Sequence, residues 1–250
     1  MTAWTHDFWA FALIGFLAQI VDGTLGMAFG VIISSSLLAF GAPPAFASAT
    51  VHVAEIATTG ISGLSHWWHG NVDRRLFIRL AAAGVFGGSL GAYVLVDLLP
   101  KQVVRPLVAV YLFAMAILIF SRILRRKPLQ ARISPVPLGL GGGFLDAIGG
   151  GGWGPMVASS LVATGDEPRR SVGTANAAEF FVAASISVAF LATLDLSEIG
   201  PVVLALIIGG AAAAPFAGWL VRVLPPRVAM MLVAVIVLCL SIYNVVRLEV

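Results

Sequence analysis

The run from Asp22 to Glu55, DGTLGMAFGVIISSSLLAFGAPPAFASATVHVAE, returns in register and without a gap from Asp146 to Glu179 as DAIGGGGWGPMVASSLVATGDEPRRSVGTANAAE. Asp22, Gly26, Gly30, Ser35, Ser36, Leu37, Gly41, Pro44, Thr50, Ala54 and Glu55 recur as Asp146, Gly150, Gly154, Ser159, Ser160, Leu161, Gly165, Pro168, Thr174, Ala178 and Glu179. Near the ends the match resumes one residue further along, with Leu107-Val108-Ala109-Val110 repeated as Leu232-Val233-Ala234-Val235 and Arg122 as Arg247. Apolar sequences coincide by chance at roughly a tenth of positions because their composition is skewed, so the aliphatic identities weigh little. The Asp, Gly, Thr and Glu identities carry the reading: the chain is two copies of one unit, residues 1–125 and 133–250.

Composition says where those copies sit. With 59% hydrophobic and 11% charged residues and a mean hydropathy of +0.99, most side chains belong in lipid or in a lipid-embedded interior. A net charge of +3 would suggest nucleic acid in a soluble domain. Here the cations fall in short loops between apolar runs, which points to membrane topology and to no nucleic-acid partner. The single cysteine, Cys239, excludes a disulfide framework or a Cys-ligated metal site within one chain, and neither a metal nor a cofactor is expected. The first Lys or Arg is Arg74, so no signal peptide with a basic start is expected either.

Residues 45–68, 76–99 and 103–121, and their counterparts 171–193, 199–223 and 227–246, each offer about 20 mostly apolar residues, enough to cross a hydrocarbon core of roughly 30 Å. The remaining stretches, 8–40 and 136–163, differ. As one straight helix the first would reach about 50 Å at 1.5 Å per residue. Both are interrupted midway, by Asp22-Gly23 and Gly26 in one copy and by Asp146 and Gly149 to Gly152 in the other. Glycine favours irregular backbone and aspartate favours caps, so each stretch reads as two short helices meeting at a break, either a re-entrant hairpin or two tilted spans. The fold class is therefore an all-α, polytopic helical membrane protein, each repeat holding a broken-helix pair and three transmembrane helices.

A pair that enters and leaves on one side, followed by three crossings, makes an odd count, so the two copies should lie antiparallel. Loop charge tests this, because cytoplasmic loops collect Lys and Arg. The loop 71–75 carries Arg74 and Arg75 while its mate, 195–198, is acidic; the loop 41–44 is uncharged while its mate, 166–170, carries Arg169 and Arg170. The most basic loop, with Arg122, Arg125, Arg126, Lys127 and Arg132, joins the halves and is expected in the cytoplasm; Lys101 and Arg105 are the discordant charges.

Inverted repeats with broken helices are what secondary transporters use, holding substrate at mid-membrane between half-helix ends. The helices that begin near Gly26 to Gly30 and Gly152 to Gly154 present free N–H groups and a positive dipole end to an anion, each worth on the order of 0.3 to 2 kcal/mol. Candidate substrate contacts are thus Gly26, Gly30, Gly150, Gly152, Gly154 and Trp153 at the breaks, with Thr50, His52, Thr174 and Asn176 on the helices that follow. The glycines read equally as sites of close helix packing, Thr50 and Thr174 as caps, and His52 as a satisfied interior histidine. Asp22 and Asp146 read as hairpin caps. His52, Glu55, Thr59, Ser62 and His66 fall along one helical face, whereas in the second copy only Asn176 and Glu179 persist. An ionisable residue within a span costs roughly 2.5 to 3.5 kcal/mol on insertion scales and usually faces a cavity or partner. Glu55 and Glu179 are therefore candidates for proton coupling or gating, or for an inter-helix hydrogen bond fixing the two halves. His66 and His69 are expected at the membrane interface with Trp67 and Trp68.

The segment Asp22-Gly-Thr-Leu-Gly-Met-Ala-Phe-Gly30, the Gly149 to Gly154 cluster with Pro155, and Gly173-Thr174-Ala175-Asn176 together resemble the sulfite exporter TauE/SafE family, of the four-toluene-sulfonate-uptake type of permeases. The likeness spans nearly the whole chain and includes the duplication. It implies a transporter of the bacterial or archaeal cytoplasmic membrane for small sulfur-containing anions such as sulfite, sulfoacetate, other organosulfonates or thiosulfate, with export the usual direction. The first copy departs from the family's commoner glycine run, having Met27-Ala28-Phe29 before Gly30.

The leading expectation is thus a carrier moving a small anion by alternating access. An anion channel or a non-transporting membrane subunit is the alternative. An intramembrane enzyme ranks last: Ser34 to Ser36, Ser159, Ser160, His52 and His66 supply nucleophile and base types, but no His-Glu-x-x-His site occurs, and serines in membrane helices mostly bond backbone or neighbours.

Overall fold

The computed structural model describes residues 7–25, 27–124, 133–163, 167–223 and 226–246. Among them there is no strand and there are ten α-helices, α1 (Phe8–Leu25), α2 (Phe29–Ala39), α3 (Pro44–Trp68), α4 (Arg74–Tyr93), α5 (Lys101–Leu124), α6 (Pro135–Gly149), α7 (Ser159–Ala163), α8 (Pro168–Thr193), α9 (Gly200–Val223) and α10 (Pro226–Val246). Single π-helical turns, Val94–Leu98 and Gly154–Ala158, extend α4 and lead into α7.

Helix starts follow the local chemistry. Pro44, Pro135 and Pro168 each stand in a first turn, where their missing N–H costs nothing and their fixed φ suits a helix. Asp73 caps α4, accepting from the N–H groups of Arg75 and Leu76, both at 3.0 Å. These caps place Arg74, Arg75, Arg169 and Arg170 inside first turns rather than in the loops where hydropathy assigns them: apolar length marks the part in lipid, while caps mark where the helix begins.

Three helical stretches, Arg74–Leu98, Gln102–Ser121 and Arg169–Thr193, combine the length and low charge of a membrane crossing. Shorter apolar helices, Phe8–Asp22, Phe29–Ala39, Gly154–Ala163, Gly200–Ala213 and Met230–Val246, accompany them. The polarity of the molecule is that of a protein in lipid. Trp9, Ile61, Trp68, Phe86 and Val188 are exposed, while Ser34, Ser35, Thr50, His52, Glu55 and Asp146 are buried. A water-facing surface would favour the reverse arrangement.

Packing is close because glycines let backbones touch. On the α4–α6 contact, Gly87 lies against the Leu140 carbonyl, Gly91 against that of Phe144 and Gly143 against Gly84. On the α1–α9 contact, Gly15 lies against Leu206 and Gly209 against the Ala12 carbonyl. Helix α3 packs on α8, with Gly63 over Ala177, and α5 packs on α10. Gly87-Gly88-Ser89-Leu90-Gly91 spells the letters of a serine nucleophile elbow but lies within α4. The strand-to-helix turn that would expose such a serine is absent there.

Candidate functional site

Both overlong stretches are divided at aspartate–glycine segments, and each aspartate bridges its own break. Asp22, near the end of α1, accepts through Oδ1 from the N–H groups of Ala28 (2.7 Å) and Phe29 (3.1 Å) at the start of α2. Asp146, near the end of α6, accepts through Oδ1 from the N–H groups of Gly152 (2.6 Å) and Trp153 (3.0 Å). In the sequence alignment Ala28 stands opposite Gly152 and Phe29 opposite Trp153, so the same carboxylate oxygen meets the same pair of amides in each copy. Gly150 ends α6 in the left-handed region at φ 65°, and Gly151 follows at φ 144°; a side chain at either would be strained.

The two breaks touch. A Cβ added to Gly30 would lie 2.7 Å from the Gly151 Cα and 2.7 Å from Glu55 Oε1, and one added to Gly154 would lie 2.5 Å from the Met27 Cα. Side chains of the first copy bind the second break: Ser34 Oγ donates to the Gly150 carbonyl, Ser48 Oγ donates to the Ala147 carbonyl at 2.6 Å, and Tyr111 lies against Gly149 and Gly152. Gly26 lies outside the described residues.

Between the breaks is a cavity lined by Asp22, the backbone from Met27 to Val31, Glu55, Thr58, Thr59, Gly151, Gly152, Gly154, Pro155 and Glu179. Its volume is about 20 Å³, little more than the ~10–15 Å³ that one water needs. Among the described residues no Lys or Arg lines it. Two amides at each start, those of Ala28 and Phe29 and those of Gly152 and Trp153, are already engaged by Asp22 and Asp146. An anion here would therefore meet carboxylates as well as helix ends.

Of the residues singled out from sequence, Gly30, Gly152, Gly154, Glu55, Glu179 and Asp22 line this cavity. Gly150 and Asp146 stand directly behind it. The others make contacts away from its lining. Thr50 donates to the Phe46 carbonyl one turn back at 2.7 Å. Thr174 accepts from the Asp73 N–H at 2.9 Å, tying α8 to the α3–α4 turn. Asn176 donates to Ser62 Oγ across the α3–α8 contact at 3.0 Å. The Trp153 ring is fully buried against Gly84 and Val182, its N–H donating to the Ala175 carbonyl at 3.0 Å. His52 spans the halves, with Nδ1 2.7 Å from the Ser48 carbonyl and Nε2 3.2 Å from Asp146 Oδ2. Sequence reasoning missed Thr58, Gly151, Pro155 and the Met27–Phe29 backbone as lining residues. Gly151 was within reach, since it lies in the same glycine run; the others depend on how the helices are rotated. Arg125, Arg126, Lys127 and Arg132 of the joining loop lie outside the described residues.

Helices that turn apolar side chains outward, bury their hydroxyls and carboxylates, and break in pairs around an internal polar cavity define a class: the chain is a multi-pass membrane transporter. Comparison with known proteins agrees with that class. The chain belongs to the sulfite exporter TauE/SafE family, whose model matches residues 11–244. It is 42% identical over 234 residues, 89% of this chain and 77% of the relative, to the "Probable membrane transporter protein YtnM" of Bacillus subtilis (strain 168). No solved structure matches significantly.

Proposed function

We propose that this transporter carries a small sulfur-containing anion, such as sulfite or an organosulfonate, out across the cell membrane by alternating access around the cavity between the two breaks. The observation that carries the reading is the matched pair of aspartate-bridged breaks: two sequence-related elements, built with the same hydrogen bonds, face each other across one polar space. Read as antiparallel repeats, residues 1–125 and 133–250 would exchange roles between an inward-open and an outward-open form. Their contacts suit such an exchange, since α1 packs on α9 as its repeat-mate α6 packs on α4. The small cavity then corresponds to a closed form, and the anion enters when the breaks part.

The acidic lining constrains the cycle. Asp22, Glu55 and Glu179 border the cavity with no basic side chain among the described residues, so an anion must arrive with positive charge. Protons on Glu55 and Glu179 supply it in this reading, making transport proton-coupled. The test is uptake and efflux of labelled sulfite by liposomes holding the purified protein, with sulfoacetate, thiosulfate and sulfate as competitors. Saturable flux inhibited by the sulfur anions is expected. Flux that rises linearly with concentration would indicate a channel, and inert liposomes would refute the carrier. Coupling through the glutamates is refuted separately if flux ignores both a pH gradient and the Glu55→Gln and Glu179→Gln substitutions.

A further inference from the structure

At the wall of the cavity stand three buried groups whose geometry the transport reading leaves unexplained. His52, Glu55 and Asp146 are 0%, 3% and 1% exposed, and each offers a ligand atom within 4.8 Å of the other two. A carbonyl oxygen only accepts, so the Ser48 carbonyl at 2.7 Å puts the proton of a neutral imidazole on Nδ1. In that tautomer Nε2 points its lone pair towards Asp146 Oδ2 at 3.2 Å, and the two acceptors can be joined only by an added proton or a cation. Glu55 Oε2 is buried and has no hydrogen-bond partner among the described residues. Ionised, it lacks a donor; protonated on that oxygen, it lacks an acceptor. Either way the protein does not satisfy it, and a buried polar atom left so costs about 1–3 kcal/mol, more when charged. Something from outside the chain completes the cluster.

We propose that His52 Nε2, Glu55 and Asp146 Oδ2 bind one divalent first-row transition cation of the Mn²⁺, Fe²⁺ or Zn²⁺ type. One imidazole and two carboxylates are a donor set those ions accept. Ligands at about 2.0–2.2 Å from such an ion stand about 3–3.5 Å from one another, which the His52–Asp146 spacing of 3.2 Å already meets. The surroundings are those of a metal site: the Ser48 carbonyl holds the imidazole by its other nitrogen, and the Gly152 and Trp153 N–H groups hold Asp146 by its other oxygen. The ion would offset two of the negative charges around the cavity, and with Glu55 ionised as its ligand the coupling proton would be carried by Glu179 alone. Three protein ligands leave coordination positions free, where an anion could bind the metal directly. That last consequence rests on the carrier reading; the metal site does not.

The test uses the full chain with any affinity tag removed, in lipid nanodiscs, stripped with chelator and titrated with Mn²⁺ or Zn²⁺. Equilibrium dialysis is expected to find about one ion per chain. Pulsed electron paramagnetic resonance of the Mn²⁺ form is expected to show coupling to one imidazole nitrogen, a readout that needs no variant. Glu55→Gln should weaken binding by about tenfold or more, given that even outer-shell changes cost 10–100-fold. Gly141→Ala, whose Cβ meets nothing within 4 Å, should leave binding unchanged. No bound metal at stoichiometric concentration, Mn²⁺ without nitrogen coupling, or Glu55→Gln binding like the unsubstituted protein would each overturn the assignment, leaving a proton shared by His52 and Asp146 and a water on Glu55. Adding sulfite separates the two readings. A changed Mn²⁺ spectrum supports both, whereas bound metal indifferent to sulfite keeps the metal site and refutes the anion beside it.

Discussion

Gly30→Ala probes whether the contact between the two breaks matters to transport. The new Cβ would stand 2.7 Å from the Gly151 Cα, 3.2 Å from the Gly150 carbonyl oxygen and 2.7 Å from Glu55 Oε1. Carbon atoms pack comfortably at about 3.5–4.0 Å, so the breaks must separate by about 1 Å. Neither side yields easily: Asp146 and Ser34 hold the Gly150–Gly152 backbone, and α2 is buried along nearly its whole length. Overpacking of this kind costs about 1–3 kcal/mol, and at 1.4 kcal/mol per tenfold that is roughly a 5- to 150-fold loss of the form in which the breaks touch. The better helix propensity of alanine returns at most about 1 kcal/mol. If the closed form is a step of the cycle, sulfite flux in liposomes should fall by about tenfold, and the unfolding midpoint should drop by about 2–4 °C per kcal/mol. Gly141→Ala is the control, because its Cβ meets nothing within 4 Å. Flux and unfolding for Gly30→Ala that match Gly141→Ala would refute the reasoning.

Three further outcomes follow from the same geometry. Asp22→Ala and Asp146→Ala each free two amides at a helix start, costing about 1–3 kcal/mol for buried groups; Asp146→Ala should cost more because its two bonds are fully buried whereas those of Asp22 are only partly so, and thermal unfolding of both variants decides the order. Trp153→Phe loses the bond to the Ala175 carbonyl, about 0.5–1.5 kcal/mol, measured as a lower unfolding midpoint. Asp73→Ala removes the α4 cap, about 0.5–2 kcal/mol. The Leu76 and Arg75 amides, with Arg170 nearby, hold the Asp73 carboxyl below the usual carboxylate range, so its contribution is complete above the ordinary value and fades as pH falls through the lowered one. The unfolding midpoints of Asp73→Ala and the unsubstituted protein should therefore differ at neutral pH and converge in acid.

The sequence by itself determined what is local or averaged over many residues. Hydropathy over whole helices makes this a membrane protein, and the positions of both breaks follow from aspartate and glycine preferences that act within a few residues. Even the aspartate bridges are short-range, each reaching six and seven residues along the chain. Tertiary structure decided which of these residues share a space. Thr50 and Glu55 lie on the same helix, yet one bonds its own previous turn and the other borders the cavity; that depends on the rotation of α3 against α8 and the second break, which no residue of α3 specifies alone. The approach of Gly30 to Gly151, the burial of Trp153 against Gly84, and the meeting of His52 with Asp146 across 94 residues likewise exist only once the halves are packed. Their cause is backbone-to-backbone contact at glycines, and a glycine in a sequence does not say which backbone it will meet.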